Sequence, residues 1–311
     1  MNFLRRLWTP TVQKITRVLW VSAVIVFVVL WSIEHREEIT DLGSNIGLVE
    51  IFLIVIVTLG GKFVVSEQGR VASELVGHSF TTRQMFWMYS SSDIAKYIPG
   101  GIWNAVSRVK IYRDQGMSMG ASTRAFTLEK FWQVTGAFYV GVFFILPSLQ
   151  NRWNIIPEGS LSLIVCYFLA GIFWIGTTLI GNHFISSERD PLRAALRAFS
   201  DQTFIAILLG LGLWIPLESI GSADLALSIG AFSIGRAAGY VAVFAPAGVG
   251  VRELVSLWVL GATVPESMAL IALGANRILT GLTDFMGFGI AAYYCRPSSS
   301  NGSETNEEHD G

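Results

Sequence analysis

Stretches of about twenty mostly apolar residues recur along this chain, parted by short polar segments. That pattern names the solvent. A helix needs about 20 predominantly apolar residues to cross the hydrocarbon of a bilayer. Backbone N–H and C=O groups find no partner in lipid, so spanning segments are helices or closed barrels. The apolar runs are too long and too continuous for the alternating strands of a barrel. The expected fold is therefore all-α, a polytopic transmembrane helix bundle with six to eight spans. Composition agrees: 52% of the 311 residues are hydrophobic, 14% are charged and mean hydropathy is +0.52. A soluble domain carries about 25% charge.

The spans read as 16–33, 46–66, 125–147, 161–181, 200–217, 224–245 and 267–293. The first resembles a signal peptide but runs into Glu34 without a small-residue cleavage site, so it reads as an uncleaved helix. Arg5, Arg6, Lys14 and Arg17 precede it, and Arg36 stands alone among Glu34, Glu37, Glu38 and Asp41 after it. An excess of Lys and Arg marks the cytoplasmic side, which puts the N-terminus on the cytoplasmic side of the cell membrane. Arg108, Lys110, Arg113 and Arg124, and later Arg189, Arg193 and Arg197, extend the same bias. The membrane domain covers 1–296, and 297–311 is a polar, acidic tail of the composition that stays disordered.

Two stretches break the pattern. At 85–112 the chain includes SSDIAKYIPGGIWNAVSRVKIY, and at 245–261 it reads APAGVGVRELVSLWVLG. Both are apolar enough to enter a membrane, yet Pro and Gly interrupt them. Irregular backbone at membrane depth survives only where protein buries it or a watery cavity solvates it. Two re-entrant hairpins are the expectation, with an amphipathic interfacial helix as the alternative for the first. The stretches also resemble each other, and each precedes a long span that contains charge, as an internal repeat would require. Paired Gly/Pro-broken segments in two halves of a membrane protein point to a transport site.

The candidate site residues follow from these breaks. In the first, Lys96, Pro99, Gly100, Gly101 and Arg108 could surround a helix start whose free N–H groups and dipole favour an anion. In the second, Pro246, Gly248, Gly250, Arg252 and Glu253 combine a turn of small residues with two charges. Adjacent helical residues do not face each other, so Arg252 and Glu253 should have different partners. Glu129, Arg236, Arg277 and Asp284 lie within spans and are candidates to line a polar path. Arg277 and Asp284, seven residues apart, share a helix face. For Glu129 and Lys130, snorkelling to the interface competes with a functional role.

The two motifs, KYIPGGIW with Arg108 and PAGVGVRE with Arg277, resemble the signatures of the lysylphosphatidylglycerol synthase transmembrane-region family of flippase-like membrane proteins. Lys96, Pro99 and Gly100 fit the first. Pro246, Gly248, Gly250 and Glu253 fit the second, which in that family reads Pro-Gly-Gly-x-Gly-x-x-Glu, with Ala247 replacing its first glycine. The resemblance implies a stand-alone flippase-like chain without the soluble synthase domain, one that moves or handles lipid between leaflets.

The sequence has no Walker-type loop and no zinc-ligand pair on a helix, so no cofactor or metal is expected. No basic patch interleaved with aromatics suggests nucleic acid. Membrane lipids are the expected partners, with an anionic or lipid-linked substrate, and with a second copy or a lipid or polysaccharide biosynthesis enzyme as further candidates. Two other readings stay open. One is a membrane glycosyltransferase using Glu37, Glu38 and Asp41, disfavoured by short external loops. The other is a non-catalytic membrane subunit of a synthesis system.

Overall fold

The computed structural model describes residues 46–97, 102–151, 159–185, 191–219, 224–242, 245–261 and 263–295, with isolated positions elsewhere. The predicted first span at 16–33, the loop acids Glu34, Glu37, Glu38 and Asp41, the residues Pro99, Gly100 and Gly101, and the tail at 297–311 lie outside the described residues.

Among the described residues the fold is all-helical. Helix α1 is Leu48–Leu75, α2 Thr82–Asp93, α3 Trp103–Asp114, α4 Met119–Asn151 and α5 Ser160–Ile185. Then come α6 (Pro191–Ser219), α7 (Leu225–Val241), α8 (Val251–Leu260) and α9 (Glu266–Tyr294). A short 3-10 turn at Ile94–Tyr97 follows α2, and another at Pro246–Gly248 precedes α8.

Four helical segments are long and apolar enough to cross a membrane: Leu48–Leu75, Met119–Ser148, Ser160–Gly181 and Leu192–Ser219. At 1.5 Å per residue, the 28 residues of α1 extend about 42 Å. Its two halves differ in a way that suits lipid on one side and protein on the other. Leu48, Val49, Phe52, Leu53 and Ile56 are exposed, whereas Lys62, Ser66, Gln68 and Ser73 are buried. Gln68 accepts a hydrogen bond of 2.7 Å from the Gln202 amide, joining α1 to α6. Helix α5 turns an almost wholly apolar exposed surface outward through Leu161, Phe168, Leu169, Ile172 and Phe173.

The first interrupted stretch holds most of α2, the turn at Ile94–Tyr97 and most of α3; the second holds the turn at Pro246–Gly248 and α8. Helices α2 and α3 have 12 residues each and pack against each other. Thr81 and Gln84 cap α2 reciprocally, satisfying two orphan backbone donors. Helix α8 has 10 residues and lies against the 17-residue α7. Gly235 permits that approach, since a Cβ there would sit 2.6 Å from the Arg252 carbonyl. Twelve residues rise about 18 Å and ten about 15 Å, short of a hydrocarbon core of about 30 Å. The two 3-10 turns touch each other, so the two unusual stretches meet at one place in the fold. Apolar side chains from α4, α6, α7, α8 and α9 pack behind them, among them Ile145, Leu213, Phe232, Val259 and Leu273.

A fully buried ion pair ties the first unit to α4. Arg108 Nη1 lies 2.9 Å from Glu129 Oε2, and both side chains are fully buried. Arg108 Nε also donates to Ser92 Oγ at 2.6 Å, and its guanidinium lies 4.8 Å from the Tyr89 ring centroid. Removing one partner would strand the other charge without compensation. Arg108→Ala or Glu129→Ala alone should therefore cost about 3–5 kcal/mol in a detergent unfolding experiment. Arg108→Met with Glu129→Leu should recover much of that loss. Equal losses in the single and double variants would contradict the pairing.

Candidate functional site

Where the two turns meet, the helices enclose a cavity of about 410 Å³. Lys62 reaches it from α1, Tyr89 and Asp93 from α2, and Lys96 and Tyr97 from the first turn. Lys130 enters from α4, and Phe232, Arg236 and Tyr240 from α7. The second turn adds Ala247 and Gly248, α8 adds Arg252, and α9 adds Arg277, Thr280 and Asp284. Six cationic side chains thus face two carboxylates.

The charges sort into two groups. On one side, Lys62, Lys96, Asp93 and Asp284 neutralise one another. Lys96 Nζ lies 2.7 Å from Asp93 Oδ2 and 2.8 Å from Asp284 Oδ2. Lys62 pairs with Asp284 and lies 4.0 Å from Asp93. The Tyr97 hydroxyl donates to Asp284 as well.

The other cations have mostly neutral partners. Arg252 donates to Asn276 Oδ1 at 3.2 Å and stacks 4.3 Å from the Phe232 ring centroid. Arg277 donates to the Ala247 carbonyl at 2.8 Å and lies 3.8 Å from Glu253. Arg236 donates through Nε to the Tyr240 hydroxyl at 3.3 Å, and its Nη2 is buried without a partner among the described residues. Lys130 bonds Gln133 Oε1 at 2.8 Å and lies 5.1 Å from the Tyr240 ring centroid. Such an arrangement holds guanidinium forks ready for the oxygens of an anion.

The turn geometry explains how Arg252 and Arg277 reach this place. Gly248 has φ +69, and Ala247 has φ 51, in the left-handed region that costs an L-residue roughly 1–2 kcal/mol. The reversal points the Ala247 carbonyl at Arg277. Glu253 then caps α8 by accepting from the Gly250 N–H at 2.8 Å. Arg252 and Glu253 therefore have different partners, as neighbouring helical positions require.

Of the residues singled out in the sequence, Lys96, Arg236, Gly248, Arg252, Arg277 and Asp284 are brought to the cavity. Arg108 and Glu129 are not, because each is engaged by the other inside the protein. Pro246, Gly250 and Glu253 belong to the turn and cap behind the cavity wall. Pro99, Gly100 and Gly101 are among the undescribed positions. Sequence reasoning missed Lys62, Asp93 and the tyrosines. Lys62 had a signal, as a lone charge in the apolar run IFLIVIVTLGGKFVV. Asp93 stands three residues before Lys96, a spacing that brings side chains together in a helix. Comparison with protein-family models and with curated proteins gives no match to this chain.

The turn yields a paired test. Ala247→Gly should be neutral or stabilising by up to about 1 kcal/mol, because it removes a Cβ from a left-handed position. Gly248→Ala should cost at least about 1–2 kcal/mol, since its Cβ would sit 2.9 Å from Gly239 Cα. Thermal unfolding of both variants in detergent checks the order, and a harmless Gly248→Ala would refute this account of the turn.

Proposed function

We propose that this chain is a polytopic membrane protein that binds the anionic headgroup of a lipid in the cationic cavity and passes it between leaflets. The observation that carries the reading is the cavity lining: six cations against two carboxylates, between helices of which three, α1, α4 and α6, are long and apolar enough to span. Ionisable groups among membrane helices are costly and face partners or a polar path. A headgroup there would be met by Arg236, Arg252 and Arg277, while its hydrocarbon chains stay in lipid beside the exposed apolar faces.

On this reading α7 and α9 also cross the bilayer, with the segment at 16–33, giving seven spans, within the expected six to eight. The α2–α3 unit and the stretch 245–261 with α8 enter without crossing, which leaves their turns together at bilayer depth. The protein sits in the cell membrane with its N-terminus on the cytoplasmic side. We read it as a relative of the flippase-like family whose two motifs it resembles, and the meeting of the turns at Ile94–Tyr97 and Pro246–Gly248 beside one cavity supports that kinship. Neighbouring α5 offers a lipid-facing apolar surface rather than a second polar site.

The test is reconstitution into liposomes with a leaflet-resolved assay of phosphatidylglycerol and of a polyprenyl phosphate. The protein should accelerate movement of at least one of these lipids over protein-free vesicles. Arg252→Gln and Arg277→Gln should each slow it about tenfold or more, the effect of losing one charge-assisted contact. Lys110→Gln, on the exposed side of α3, should leave it unchanged. No acceleration for either anionic lipid would sink the proposal.

A further inference from the structure

The cavity holds more positive charge than its own acids balance, and the surplus is concentrated. Lys62, Lys96, Asp93 and Asp284 form a neutral quartet. What remains is Lys130, Arg236, Arg252 and Arg277. Lys130 is 3.9 Å from Glu129, but that carboxylate is closer to Arg108, at 2.9 Å. Arg277 has Glu253 at 3.8 Å. Among the described residues, no carboxylate lies within 4.0 Å of Arg236 or Arg252. Arg277 and Arg236 repel Arg252, while Glu253, which also lies 3.8 Å from Arg277, attracts it.

Arg236 is the sharpest case. It is 6% exposed, lines the cavity, and keeps a buried Nη2 without a partner among the described residues. Arg108 also leaves an Nη2 unpartnered, but Glu129 neutralises it and it lies off the cavity. An uncompensated buried charge costs several kcal/mol, so these guanidinia call for negative charge from a ligand. A phosphodiester brings a single negative charge and could neutralise only one of them. A diphosphate brings two or more on adjacent groups, and its oxygens suit several guanidinium forks at once.

We infer that the headgroup this cavity selects is a diphosphate, held between Arg236 with Lys130 on one side and Arg252 with Arg277 on the other. The inference rests on the anionic-headgroup reading and narrows it to a diphosphate-linked lipid. A cavity of about 410 Å³ has room for such a group and for part of whatever it carries.

The test uses the full chain in phosphatidylcholine nanodiscs, titrated calorimetrically with inorganic pyrophosphate and with orthophosphate at matched ionic strength. Pyrophosphate should bind about tenfold more tightly or better, as expected for an added pair of charge-assisted contacts. Arg236→Gln and Arg252→Gln should each remove most of that preference while changing orthophosphate binding less. Arg236→Lys, which keeps the charge and guards against misfolding, should retain an intermediate preference. Equal affinity of the unaltered protein for the two anions would overturn the diphosphate assignment and leave an anion site standing. Binding of neither anion would overturn the anion-site reading itself, and this inference with it.

Discussion

Asp284 holds three parts of the molecule in register. It pairs with Lys62 on α1, lies 2.8 Å from Lys96 in the first turn, and accepts from the Tyr97 hydroxyl. Its own helix, α9, also carries Arg277, which bonds the second turn through the Ala247 carbonyl. One helix therefore reaches both interruptions. The physical constraint beneath this is that charges among apolar helices need partners close by. Where carboxylates supply them, the charge becomes structure. Where they do not, a cavity remains with its cations facing inward.

That division separates two kinds of arginine in the chain. Arg108 has a carboxylate at 2.9 Å, a serine hydroxyl and two tyrosines around it, and it braces α3 against α4. Arg236 and Arg252 have a tyrosine hydroxyl, an asparagine oxygen and an aromatic ring instead. Neutral partners orient a guanidinium without cancelling its charge. The cavity thereby keeps an excess of cationic side chains facing inward.

The apolar runs made the helical membrane class legible, because bilayer thickness imposes a length on every crossing segment. The runs at 125–147, 161–181 and 200–217 fall inside long apolar helices, and the run at 46–66 overlaps Leu48–Leu75 from residue 48 on. Pro246 with its small neighbours marked a turn that the structure contains. The site was legible only in part. A sequence shows which charges enter the membrane but not which of them pair across helices. Arg108 looked like a ligand-binding cation because Glu129, 21 residues further on, could not be recognised as its partner. Lys62 was overlooked for the converse reason, since its value depends on Asp284 more than two hundred residues away. Such pairings are tertiary facts, and local spacing does not encode them.

The central claim is that the two broken segments meet at an aqueous cavity of positive potential set among membrane helices. Cysteine chemistry reads this directly. With Cys166 and Cys295 replaced by serine, Thr280→Cys would place one thiol on the cavity wall. Phe168→Cys would place one on the apolar face of α5 as a control. In proteoliposomes, the thiol at position 280 should react with a sulfonate-bearing methanethiosulfonate faster than with its trimethylammonium counterpart, and the thiol at 168 with neither. Equal rates for the two reagents at position 280, or no reaction there, would contradict the account.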